Sequence, residues 1–278
     1  MPDYIWLFAC ASVAGAAHIA QQLPCQDYYA MLSIDEHSGV AVICDGAGSC
    51  EHAEDGACQT AGFALTRFAD YGRQRQHQAL PAAAEWQNQA ANILHEVASD
   101  LRQYATKEQL DLASLSCTVI VLLYMPEGLL CAHIGDGRAA YRSERGEWLP
   151  LISPFHGEEI NSTVFITSDI WHDTAQYIGA SVVDEPVTAF CLLTDGCERA
   201  SFEVNLLDAE TSKYYDPNRP YAPFFEPNIA ALRQLYEQGK TTDEVQQLWT
   251  SFLTKGNEKL HRESDDKTMI LATRIPRN

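Results

Sequence analysis

The chain has 278 residues, with 38 Asp and Glu against 19 Lys and Arg, so its formal charge is −19 at pH 7. That length is ample for a buried core, and 46% apolar residues exclude wholesale disorder. The acidity excludes general nucleic-acid binding, because too little positive charge is present to displace counterions from a phosphate backbone. It leaves room for a phosphorylated substrate where divalent cations reverse the local field of an acidic site.

Tyr4 to Ala11 predicts a buried strand. No Lys or Arg precedes Arg67, so the positive region of a secretory signal is missing. No run reaches the roughly 18 apolar residues of a membrane span. A cytoplasmic protein with no membrane contact is expected. Nine cysteines stand singly, with no CxxC; the odd count and spacing point away from a disulfide framework or zinc ribbon and toward a reducing compartment.

Tyr28 to Ile34 and Val40 to Cys44, split by the turn signal Asp35 to Gly39, predict a hairpin. A helix is expected from about Ala53 to Tyr71. A second helix starts with Pro81 in its first turn and carries Ala90, Ile93, Leu94, Val97, Leu101 and Tyr104 on one face. Strands return at Cys117 to Tyr124, Leu129 to Ile134, Ala139 to Arg142, Trp148 to Ile152 and Val187 to Leu193. Residues 205 to 227, with four prolines, read as a long irregular connection. Thr241 and Glu244 predict a capping box, followed by an apolar stripe closed by Gly256. A last strand runs from Thr268 to Ile275. Strands come in runs and helices in groups, so the fold class is α+β with mainly antiparallel pairing, in a single domain spanning 1–278.

Three apolar strands end in Asp-Gly, at Asp45, Asp136 and Asp195. Two more acidic elements precede strands, Gln26-Asp27 and Asp265-Asp266. Taken singly, Asp-Gly is a common turn. Three such steps on strand ends, with two acidic strand starts, would bring carboxylates to one sheet edge. Such a cluster repels itself unless protonated or neutralised, and hard Mg²⁺ or Mn²⁺ ions prefer such oxygen donors.

The order PCQD, VICDGAGS, SCTVIVL, HIGDGRAAY, LLTDGCE and DDKTMIL resembles the metal-dependent protein phosphatases of the protein phosphatase 2C type, in their compact bacterial branch. The resemblance spans about Gly15 to Thr273. It implies a four-layer αββα sandwich of two antiparallel sheets flanked by helices, with two metal ions at one end and a third, looser position. By the same resemblance, Asp45 bridges the metals and the Gly46 carbonyl binds one of them. Asp195 and Asp265 hold the other, Asp136 serves the third position, and Asp27 stands behind the direct ligands or reaches metal through water. Asp266 stands where Asn is common, which leaves the choice between Asp265 and Asp266 open; position favours Asp265. Thr118 is supportive.

The implied reaction is hydrolysis of phosphoserine and phosphothreonine in proteins by a water bridging two divalent metals. His18 is the candidate acid for the leaving alkoxide, because an imidazole titrates near working pH. The Arg common five residues before the first motif's Asp is here Gln22, so Arg138 becomes a candidate for gripping phosphate, with pairing to a local carboxylate as its alternative. Residues 156–227 form a less typical insert. His156, Glu158 and Glu159 line a groove or stand on a solvated loop, and the Pro-rich run 217–227 is a flap beside the site or a packed loop. Two other functions stay open: a non-catalytic module that binds phosphorylated partners, and a hydrolase of small phosphoesters. The expected partner is a phosphorylated protein, and the expected state is a monomer.

Overall fold

Strands β3 (Gly39–Cys44), β4 (Val119–Met125), β5 (Gly128–Ile134) and β9 (Val187–Leu193) are apolar on both faces, because each lies between a helix layer and a second sheet. The computed structural model describes residues 4–76, 78–155, 163–208 and 211–277. One sheet has the order β2-β3-β4-β5-β8, with β2 at Tyr28–Ser33 and β8 at Gly179–Val183. The other has the order β1-β14-β9-β6-β7, with β1 at Tyr4–Val13, β6 at Arg138–Ser143, β7 at Trp148–Pro150 and β14 at Lys267–Pro276. Every pairing in both sheets is antiparallel. The short strands β10 (Phe202–Glu203) and β13 (Arg219–Pro220) pair with each other, as do β11 (Leu206–Leu207) and β12 (Tyr214–Tyr215).

Helices cover both outer faces. Ala57, Ala61 and Ala64 of α2 (Ala53–Gln74) are small enough to bring that helix close to the first sheet. Ile93, Leu94, Val97 and Leu101 of α3 (Ala83–Glu108) complete that layer. The short helices α1 (Ala16–Gln21), α4 (Thr174–Tyr177) and α5 (Glu198–Ser201) lie in connections. On the second sheet, α6 (Ala222–Glu237), α7 (Thr242–Lys255) and α8 (Glu258–Arg262) bury Phe225, Ile229, Trp249, Leu253 and Leu260. A third core lies between the sheets, where Trp6, Phe8, Tyr124 and Phe190 stack or meet edge-on. The expected α+β class and four-layer αββα order are both found.

Several local readings change. Residues 205–227 are not one irregular connection, because they hold three short strands and the start of α6. Pro223 suits that helix's first turn. Pro227 lies inside it, where burial of Phe224 and Phe225 outweighs the missing N–H. The flap reading of 217–227 therefore gives way to a packed segment. Pro81 lies outside α3, whose N-cap is Ala82. Gly256 caps α7 with a right-handed backbone, φ −71°, instead of the left-handed turn. His156, Glu158 and Glu159 lie outside the described residues.

Candidate metal centre

The topology brings the acidic strand ends together. β3 and β5 flank β4 and so run in the same direction, which puts Asp45 and Asp136 at one edge of their sheet. Tyr28 pairs with Cys44, placing Asp27 beside that edge. In the other sheet, Met269 pairs with Leu193, so the start of β14, with Asp265, meets the end of β9, with Asp195.

A cleft of about 510 Å³ opens there. Six carboxylates line it, those of Asp45, Asp136, Asp195, Glu198, Glu263 and Asp265. Its walls are also close-set backbone. Gly46 bridges Cys117, and a Cβ added to it would lie 2.6 Å from the Gln26 carbonyl and 2.8 Å from that of Ala53. Gly135 has φ +111°, a conformation open to glycine, and it aims the chain into Asp136 against the Thr118 side chain. The Thr118 N–H donates to the Asp45 carbonyl at 2.8 Å and its hydroxyl accepts the Asp45 N–H at 3.2 Å, so Thr118 fixes the Asp45 backbone.

The electrostatics are unfavourable as they stand. Burial raises the Asp45 carboxyl well above the usual carboxylate range, and Asp27, Asp195, Asp136 and Asp265 raise it further. Burial, then Asp265, Asp136 and Glu198, push Asp195 up to about 7. One oxygen of Asp195, Oδ1, is buried with no hydrogen-bond partner. Among the described residues no three side chains are already closed into a coordination cage. Even so, hard oxygen donors, mutual repulsion and an orphaned carboxylate oxygen fit a site for divalent cations.

The remaining candidate residues divide. Asp265 faces the cleft. Asp266 is buried and accepts the N–H groups of Gly15 at 2.7 Å and Gln26 at 2.6 Å, and its two oxygens both lie 2.9 Å from His18 Nδ1. Its lone pairs are spent on the chain, which leaves Asp265 as the carboxylate available to a ligand. His18 therefore stands against Asp266 and is not on the cleft wall. Asp27 also lies beneath the wall. Its Oδ2 accepts the Thr194 hydroxyl at 2.7 Å, that hydroxyl accepts the Thr268 N–H at 2.9 Å, and burial pushes the Asp27 carboxyl up to about 8.

Arg138 does not reach the cleft as a phosphate grip. It is 1% exposed, and its guanidinium donates to Glu198 at 3.0 Å, Asn218 at 2.8 Å and Asp216 at 2.5 Å. All its donor edges serve the chain, so pairing with local carboxylates is the alternative the structure favours. The cation that does line the cleft is Arg199, four residues after Asp195 on α5 and exposed. Only its short distance from the Asp195-Gly196 step could have singled it out in the sequence.

Comparison with known proteins bears on the family and the fold. The sequence profile of the family described as protein phosphatase 2C matches residues 14–247. Serine/threonine-protein phosphatase 3 of Escherichia coli (strain K12) is 29% identical over 275 residues, covering 96% of this chain and 98% of that protein. The S. agalactiae serine/threonine phosphatase superimposes with a TM-score of 0.56 at 13% identity, over 96% of this chain and 99% of that one. RsbX in complex with magnesium gives 0.52 at 14% identity, over 97% and 96%.

Proposed function

The chain belongs to the protein phosphatase 2C family of protein serine/threonine phosphatases, and we propose that it hydrolyses phosphoserine and phosphothreonine in cytoplasmic bacterial signalling proteins with the help of Mn²⁺ or Mg²⁺, working as a monomer and one domain. The observation that carries this reading is the convergence of the Asp45, Asp136, Asp195 and Asp265 carboxylates, brought from strand ends of both sheets, on one open polar cleft. Asp45, Asp195, Asp265 and the Gly46 carbonyl would hold two ions, with Asp136 at a third position. Bound there, divalent ions would make water nucleophilic near neutral pH and polarise the phosphoryl group.

The protein's own part is positional. Strand ends preset the carboxylates, and the Thr268–Thr194–Asp27 chain of hydrogen bonds holds the backbone from which Asp195 projects. Arg199 offers the cleft a guanidinium for a phosphoryl oxygen. His18 stands outside the cleft lining with Nδ1 held by Asp266, so its role as acid for the departing alkoxide requires Nε2 to reach the substrate beyond that wall. A His18→Gln variant tests that role: it should slow phosphopeptide hydrolysis and leave p-nitrophenyl phosphate nearly unchanged, because p-nitrophenolate departs without a proton.

The decisive measurement is phosphate release from a phosphothreonine peptide with and without Mn²⁺, for the wild type and for Asp45→Asn. Metal-dependent turnover that disappears in the variant supports the reading. Calorimetric Mn²⁺ binding with no turnover on phosphopeptides would favour the non-catalytic module, and turnover confined to small phosphoesters would favour the third function.

A further inference from the structure

A second cavity, of about 500 Å³, adjoins the carboxylate cleft and shares Arg199 with it. Lys259 of α8 stands on its rim, its amine donating to the Arg199 carbonyl at 2.8 Å and lying 6.0 Å from the Tyr221 ring. Both cations are exposed, and among the described residues neither side chain pairs with a carboxylate. The cavity's own acid, Glu203, is engaged by Arg219. Phe202, Val204 and Leu206 supply apolar wall, and Tyr221 is held in place by its N–H bond to the Ser201 carbonyl at 2.8 Å.

We infer that this cavity receives the part of a phosphoprotein substrate beside the phosphorylated residue, and that it selects a segment with an Asp or Glu next to an apolar side chain. The inference rests on the phosphatase reading above and names the substrate class for it. A chain of charge −19 with a cleft of six carboxylates repels acidic peptides at long range. Two cations beside that cleft, neither paired with a carboxylate, offset this locally, and they stand on the side where the second cavity extends the cleft. The shared Arg199 makes the two sites continuous. Lys259 extends the positive rim away from the reacting atoms, and the apolar wall between accepts a neighbouring aliphatic side chain.

Three phosphothreonine peptides, identical except for Glu-Leu, Ala-Leu or Lys-Leu flanks on both sides, test this. For the wild type, kcat/KM should rank Glu above Ala above Lys, with about three- to fivefold between the extremes, carried by KM. Raising ionic strength from about 0.05 to 0.5 M should shrink the ranking, since the cations are solvent-exposed. Lys259→Gln should flatten it and Lys259→Glu should invert it, while both variants keep wild-type turnover of p-nitrophenyl phosphate. An unchanged ranking in Lys259→Glu, or no ranking in the wild type, would overturn the pocket's role. Absence of any metal-dependent turnover in the wild type would overturn the phosphatase reading itself, and the pocket's role with it.

Discussion

Replacing Arg138 with Leu separates its two readings. The guanidinium is 1% exposed and ties β6 to α5 through Glu198 and to the β12–β13 connection through Asp216 and Asn218. It also lies 5.3 Å above the Phe202 ring. Removing one partner of a fully buried ion pair costs about 3–5 kcal/mol, because the remaining charge stays dry. Here the orphaned carboxylates are 23% and 27% exposed, so water partly restores their solvation. The expected loss is about 2–3 kcal/mol, including a cation–π contribution of about 0.5–1 kcal/mol. For a chain of 278 residues that is a fall in Tm of roughly 3–5 °C, read by differential scanning calorimetry. Arg138→Lys keeps the charge but not the fork, and should recover about half of the loss. A Tm within about 1 °C of wild type, with KM for a phosphopeptide raised tenfold, would refute the ion-pair reading and restore the phosphate grip.

Three further outcomes are expected. Gly46→Ala places a methyl 2.6 Å from the Gln26 carbonyl; it should cost about 1–3 kcal/mol in thermal stability and weaken calorimetric Mn²⁺ binding. Burial lowers His133 to about 4, with the ring set against the Ser153 carbonyl at 2.9 Å. Its penalty is absent above the unfolded value near 6.5 and grows as pH falls toward 4, so the wild type should lose roughly 2–3 kcal/mol relative to His133→Gln between pH 7.5 and 4.5 in urea titrations. Thr241→Ala removes one half of the α7 capping box, in which Glu244 N–H donates to the Thr241 hydroxyl; a loss of about 1 kcal/mol is expected by the same titration.

What could be read in the chain depended on whether the cause was local. The hairpin of β2 and β3, the face of α3 and the capping box of α7 depend on residues a few positions apart, and each emerges as expected apart from its ends. The strand-end aspartates could also be read, because an apolar run that stops at Asp-Gly announces both the strand and its edge. Antiparallel order then forces Asp45, Asp136, Asp195 and Asp265 to one side. Partners chosen across the fold left no such sign. Pro227 reads as a helix breaker until Phe224 and Phe225 find their pocket. Asp265 and Asp266 look alike until Gly15, His18 and Gln26 claim the second of them. Arg138 and Arg199 differ in the same way. Both follow an Asp-Gly step, but Arg138 begins β6 and is drawn into the wall by Glu198 and Asp216, whereas Arg199 lies on a one-turn helix that leaves its side chain in the cleft. Which of two similar cations is left facing the cleft is therefore settled by the charges each finds after folding, and spacing along the chain carries no record of them.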